Sequence, residues 1–367
     1  MHILASRCTI TLVAYENVYK KDAKNMNNSS KKVTIKDVAQ AAGVSYATVS
    51  RAFSGSSEIG EDTKKRILEI SKEMGYSPNN VARSMVVKHT NTIGIIVPSI
   101  ENAYMSEIIS NAELKLKESG YNIMACNSLY DLNIEKDALQ LLMGKQVDGL
   151  LIIPSGTETY SSLKPLLGDL PVVFIGENIQ HHPDSYVSIN NYEGTKMGTE
   201  YLFSLGHRHI VYLGSRKNSV THQQRLKGYL DACNQLGIES VHVDSNFKRS
   251  SRQAGYLLAQ HLFEKPRDYS AIFCASDSLA IGVMQAADEQ GIRIPEDISL
   301  MGFDNLPFTA LPRIDLTTID QAQGDVADAA VNVLVDIINN GNSGYVHKIL
   351  QPTLIERSSC KIIDIGE

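Results

Sequence analysis

From residue 92 onward the chain alternates short continuous apolar runs with longer stretches whose apolar residues recur every three or four positions. The runs at 93–98, 121–126, 147–153, 172–176, 186–189, 209–213, 241–243, 271–275 and 298–303 read as strands. The stretches at 105–119, 134–144, 193–205, 223–236, 253–263, 278–290 and 325–339 read as helices. Strands with no polar face, separated by amphipathic helices, predict parallel sheets covered on both sides. A body of about 270 residues is long for one such sheet and suits two, and no periodic repeat runs through it.

Upstream, the pattern changes to short helical periods. Ile35, Val38, Ala39 and Ala42 share one face behind Thr34 as N-cap, and Gly43 ends that helix. Val44 packs the turn, and Ser45 caps a second helix running Tyr46-Ala47-Thr48-Val49-Ser50-Arg51, most of whose side chains carry hydrogen-bonding groups. A third helix at 61–74 supplies Ile67, Ile70 and Met74, enough to close a small core, and is expected to expose Lys64, Lys65 and Arg66. Pro78 fits the first position of a fourth helix ending at Met85. Two turns are too few for stability alone, so this helix is expected to order when two copies meet on DNA, with Met85 wedged between base steps from the minor groove. The layout is that of a helix-turn-helix head, with the second helix expected in the major groove.

Charge divides the chain the same way. Residues 31–92 hold ten Lys and Arg against six Asp and Glu, whereas the whole chain is −6. A basic head on an acidic body is expected if only the head meets phosphates. Cys8, Cys126, Cys233, Cys274 and Cys360 are odd in number, scattered and never spaced as CxxC, which predicts cytosolic thiols and neither a disulfide framework nor a zinc site. Residues 1–30 contain no membrane-length apolar run and no signal peptide, and the Asn/Ser/Lys-rich stretch at 20–32 reads as disordered. Translation is expected to start at Met26, which an intact mass would check.

The series Thr34-Ile35-Lys36-Asp37-Val38-Ala39, Gly43-Val44-Ser45, Thr48-Val49-Ser50-Arg51, Tyr76-Ser77-Pro78-Asn79 and Val81-Ala82-Arg83-Ser84 resembles the LacI/GalR (lac-repressor) family of bacterial transcription regulators, from Val33 to about Ser359. The resemblance implies an all-α helix-turn-helix DNA-binding head with a hinge helix, followed by an α/β periplasmic-binding-protein-like core of two doubly wound parallel-sheet subdomains. Expected boundaries are an extension at 1–30, the head at 31–77, hinge helix and linker at 78–91, an effector-binding and dimerisation domain at 92–361 and a tail at 362–367. The subdomain crossings are expected near 188–191 and 317–321, with a third in the C-terminal tail. By the same resemblance Tyr46, Ala47, Ser50 and Arg51 face base edges, and Thr34, Ser45, Thr48, Thr63, Tyr76 and Asn79 lie by phosphates. Ala82 and Met85 complete the DNA-contacting set, Met85 replacing the leucine of many relatives.

Ligands of doubly wound sheets bind beyond the carboxyl ends of strands. Tyr104 and Met105 match family positions flanking the effector, against an alternative of plain core packing. Arg225 matches an arginine that reaches the ligand, or else forms a structural ion pair, and Asp304 matches an acid that accepts ligand hydroxyls or amines, or else caps the following turn. Ser276 and Asp277 stand where relatives often have Asn-Asp, with Asp277 read as an N-cap ahead of a ligand contact. Two departures bear on effector chemistry. Gly176 replaces an acid, and 245–251 carries a short insertion.

GxSxG, HExxH, Walker-type and post-strand GxGxxG motifs are absent, so no catalytic residue, metal site or cofactor is expected. His181-His182-Pro183-Asp184 reads as a solvated loop, and His207-Arg208-His209 as structural. The sequence therefore points to a cytoplasmic, nucleoid-associated repressor. It is expected to bind a pseudo-palindromic double-stranded operator as a homodimer under control of a sugar- or nucleoside-like effector, without contact to a membrane. The eight residues of 360–367 are too short for a tetramerising heptad helix. The competing classes are a transporter's solute-binding receptor and a sugar-modifying enzyme.

Overall fold

The computed structural model describes residues 33–54, 58–76, 89–176, 184–214, 219–244, 251–341 and 344–363. The chain divides into two compact units, 1–88 and 89–367.

In the first unit α1 (Ile35–Ala42), α2 (Tyr46–Ser54) and α3 (Glu61–Glu73) close over Val38, Ala39, Ala42, Val49, Ala52 and Ile67. The Asp37 carboxylate turns back to accept from both the N–H and the hydroxyl of Thr34 at 2.7 Å, fixing the start of α1. Gly43, at φ +64°, ends it by donating to the Gln40 carbonyl. Of the three basic residues expected on the open face of α3, two are engaged. Arg66 reaches back to the Ala42 carbonyl at 3.1 Å, and the half-buried Lys64 lies 3.6 Å from Glu61. The fourth helix falls outside the described residues.

The second unit is built on two six-stranded sheets. β1 (Thr92–Val97), β2 (Asn122–Asn127), β3 (Gly149–Ile152), β4 (Val172–Ile175) and β5 (Ser185–Ile189) form an N-lobe sheet of order β11-β5-β4-β3-β1-β2. Its edge strand, β11 (His347–Leu350), comes from the far end of the chain. The C-lobe sheet has order β12-β10-β9-β8-β6-β7, from β6 (Ile210–Leu213), β7 (Val241–Val243), β8 (Ala271–Cys274), β9 (Ser299–Asp304), β10 (Thr317–Asp320) and β12 (Thr353–Ile355). All pairings are parallel except β10 with β12. The N-lobe helices are α4 (Ala103–Glu118), α5 (Leu132–Gly144), α6 (Thr159–Leu167) and α11 (Gln323–Asn340). Those of the C-lobe are α7 (Asn191–Ser204), α8 (Val220–Leu236), α9 (Arg252–Phe263) and α10 (Asp277–Glu289). The chain passes between lobes after β5, after β10 and between β11 and β12.

Three strands and one helix lack the sequence pattern that would announce them. β10 reads Thr-Thr-Ile-Asp and owes its burial to its neighbours, while β11 and β12 are edge strands of four and three residues. α6 is short and contains Pro165. Such segments follow tertiary context rather than periodicity.

His207 is buried and structural. Its Nε2 lies 3.2 Å from the Lys361 carbonyl and so carries the proton, leaving Nδ1 to accept from the Ser270 hydroxyl at 2.8 Å. Burial pushes this imidazole down to about 4. A group held neutral in the fold and protonated when unfolded contributes stability that is full above the unfolded value and is lost as pH falls from 6.5 toward 4. Urea unfolding of the wild type is therefore expected to lose about 3 kcal/mol more over that interval than His207→Gln. Parallel pH profiles for the two proteins would reject this.

Candidate functional site

The first candidate surface is α2. Val49, Ala52 and Phe53 face the head core, so positions 46, 47, 50 and 51, spaced by three and four, share the opposite face. Tyr46 is 64% exposed there, and Arg51 reaches Glu58 at 3.3 Å. Both members of that pair are open to solvent, so it is worth about 1 kcal/mol at most and is readily exchanged for another acceptor. At the start of α2 the Ser45 hydroxyl accepts from the Thr48 N–H at 3.1 Å and lies 2.9 Å from the Thr48 hydroxyl. Thr34 and Ser45 sit at helix starts and Thr63 in the first turn of α3, where free backbone N–H groups favour anions. Tyr76 is half-buried, its ring edge-on to Phe53 at 5.7 Å, and burial pushes its phenol up. Asn79, Ala82 and Met85 lie outside the described residues.

The second is a cleft in the core enclosing about 820 Å³, open solvent included. It is walled by residues that follow strands: Asn102, Tyr104 and Met105 after β1, Tyr130 after β2, and Ile153, Pro154 and Gly156 after β3. From the C-lobe side come His222 and Arg225 of α8, Ser276 after β8 and Asp304 at the end of β9. Asn191 and Gln321 stand at two of the crossings.

At its floor Arg225, only 4% exposed, donates through Nε to Asn191 at 2.8 Å and through Nη1 to the Ala275 carbonyl, stacks on Phe303 at 3.7 Å, and lies 3.5 Å from Asp304. Asp304 accepts from the Gln321 amide, and its carbonyl accepts from Gln323. Burial pushes the Asp304 carboxyl up, against the pull of Arg225. Its φ of +132°, followed by Asn305 at +56°, is backbone that only a well-determined surrounding sustains. Across the cleft, the Tyr104 phenol is pushed up by burial and by the Asp304 charge. Asn102 caps α4 by accepting from the Met105 N–H at 3.2 Å, which fixes where Tyr104 and Met105 begin.

Tyr104, Met105, Arg225, Ser276 and Asp304 thus converge on one space. Asp277 does not join them. Its carboxylate is fully buried and turned away, accepting from the Leu306 N–H at 2.8 Å and the Thr318 hydroxyl at 2.6 Å, and Gly302 leaves it room because a Cβ there would lie 2.2 Å from Oδ1. Nor is Asp277 the N-cap, since Ser276 caps α10 by accepting from the Leu279 N–H. The expected capping role is therefore displaced by one residue. Gly176, at φ +87°, leaves its carbonyl to the Thr221 hydroxyl at 3.1 Å, a bond between the two lobes. Sequence reasoning missed Asn191, Gln321, Tyr130 and His222. The strand-end rule covers Asn191 directly, and would have covered Gln321 had β10 been recognised.

A helix-turn-helix head in front of a two-lobed body with a polar cleft defines a ligand-responsive DNA-binding regulator. Residues 34–79 match the family described as bacterial regulatory proteins, lacI family, and residues 199–360 match the periplasmic binding protein-like domain. The HTH-type transcriptional regulator RegA of Clostridium saccharobutylicum is 34% identical over 333 residues, 89% of this chain and 98% of its own. The HTH-type transcriptional repressor PurR of Escherichia coli is 35% identical over 334 residues, 89% of this chain and 96% of its own. Among solved structures, the lac repressor dimer bound to operator and the anti-inducer ONPF superposes with TM-score 0.81 at 25% identity, covering 90% of this chain and all of that one. The chain belongs to the LacI family of bacterial transcription regulators. Among the described residues, no helix is long and apolar enough to cross a membrane.

Proposed function

We propose that this regulator represses transcription by binding a pseudo-palindromic operator as a homodimer, with a sugar- or nucleoside-like effector in the cleft setting its grip. The observation that carries the reading is the open face of α2, where Tyr46, Ala47, Ser50 and Arg51 stand free of the head core. Arg51 suits a guanine edge, Ala47 offers only a methyl contact, and Thr34, Ser45, Thr48, Thr63, Tyr76 and Asn79 meet phosphates. Ala82 and Met85 act at the centre of the operator, where an easily kinked pyrimidine–purine step is expected. Residues 31–77 serve as head, 78–91 as hinge and linker and 92–361 as sensor. Tyr104, Met105, Arg225, Ser276 and Asp304 contact the effector, and the protein works on the nucleoid.

The ligand shifts operator affinity only by its difference in affinity for the two arrangements of the lobes. Selection of bound sequences from random duplexes, repeated with sugars and nucleosides present, tests the proposal. An enriched inverted repeat whose recovery one compound changes is the expected result, and a pool with no preference rejects it. On the selected duplex Arg51→Ala is expected to lose about 1–3 kcal/mol and relax one guanine, whereas Lys36→Ala weakens all sequences alike.

A further inference from the structure

Part of the N-lobe wall of the cleft is made of two irregular loops. One follows β2 and brings in Tyr130, with Leu129 at φ +54° and Tyr130 at +59°, backbone that side chains rarely adopt. The other follows β3 and brings in Ile153, Pro154 and Gly156. Beneath them lies Glu135 of α5, completely buried, and among the described residues no lysine, arginine or histidine pairs with it.

Both of its carboxylate oxygens are nevertheless hydrogen-bonded. Oε1 accepts from the Ser155 N–H at 3.0 Å and Oε2 from the Thr159 hydroxyl at 2.8 Å. The Thr159 oxygen in turn accepts from the N–H groups of Ser155 at 3.1 Å and Gly156 at 3.3 Å. Ser155 Oγ lies 2.7 Å from Ser128 Oγ, which stands 3.2 Å from the Val97 carbonyl at the end of β1. Ser128 is also the base of the strained turn, since the Asp131 N–H donates to its carbonyl at 2.9 Å. Burial pushes the Glu135 carboxyl up, against these donors. An uncompensated buried carboxylate is costly, and a core built for stability alone would fill the space with an apolar side chain.

We infer that Glu135 is a positioning residue of the cleft: it holds the 153–159 loop directly, and the 127–131 turn through Ser155 and Ser128, without touching what binds there. The inference rests on the cleft being the effector site.

Hydrogen exchange on the full chain reads the clamp with no ligand present. Glu135→Ala is expected to exchange about tenfold faster over 127–131 and 153–159 with 219–228 unchanged, and Glu135→Gln, which keeps one acceptor, less so. Ser128→Ala is expected to loosen 127–131 alone. Equal exchange in wild type and both Glu135 variants, or acceleration spread equally over the C-lobe, overturns the inference. In a second arm D-ribose and adenosine are titrated by thermal melting, and whichever protects the wild type is expected to bind Glu135→Gln about fivefold more weakly. Loosened loops with an unmoved ligand midpoint overturn the positioning role. If neither compound protects the wild type, the effector reading of the cleft fails for these ligands, and the exchange result still decides the clamp.

Discussion

Replacing Arg225 with methionine is expected to cost about 3–5 kcal/mol of folding stability at neutral pH, because it strips the partner from a buried charge. Asp304 would be left with Gln321 as its side-chain donor, while Asn191 Oδ1 and the Ala275 carbonyl lose theirs. Burial already pushes the Asp304 carboxyl up, so without the guanidinium it folds protonated. A carboxyl raised in the fold above its unfolded value contributes stability at low pH that is lost as pH rises through the folded value. The deficit of Arg225→Met in urea unfolding is therefore expected to be larger at pH 8 than at pH 5, and adding Asp304→Asn should restore much of it. A single variant within 1 kcal/mol of wild type at both pH values would show that the pair contributes nothing. The same substitution should abolish any effector response, since Arg225 and Asp304 form the floor of the cleft.

The second large effect lies away from any site. Helices α9 and α10 cross at glycines: a Cβ on Gly282 would stand 2.1 Å from the Arg252 carbonyl and 2.4 Å from the Tyr256 nitrogen, and one on Gly255 2.1 Å from the Leu279 carbonyl. These neighbours are backbone and cannot rotate aside, so Gly282→Ala must push the helices apart. A loss of roughly 3 kcal/mol or more is expected, at the upper end of overpacking effects. Gly144, the last residue of α5, has nothing within 4 Å of such a Cβ, and its alanine variant should instead gain roughly 0.5–1 kcal/mol. Equal melting temperatures for the two variants would refute the close crossing.

Much of this was legible in the sequence wherever one physical signal acts alone. Thr34, Ser45 and Gly43 mark helix ends by local chemistry, and the apolar runs of the inner strands mark themselves. The strand-end rule narrowed the search to a few positions and the family resemblance picked out Tyr104, Met105, Arg225 and Asp304 among them, with Arg225 on a helix rather than at a strand end; these four and Ser276 line one cleft. Asp277 misled because adjacent polar residues at a helix start look alike, and only the packing of Gly302 and Thr318 shows which carboxylate turns inward. Gln321 escaped because β10 carries no strand signature of its own. Glu135 was invisible for a different reason: nothing in the sequence around an amphipathic helix distinguishes a solvated acid from one sealed under two loops.

The threading of the chain between its lobes also bears on how the molecule is made. A nascent polypeptide released as far as residue 322 has completed neither half: the first still lacks α11 and β11, and the second lacks β12. Both halves therefore reach their final form only after β11 and β12 have been made, and no single contiguous stretch can be excised as either one.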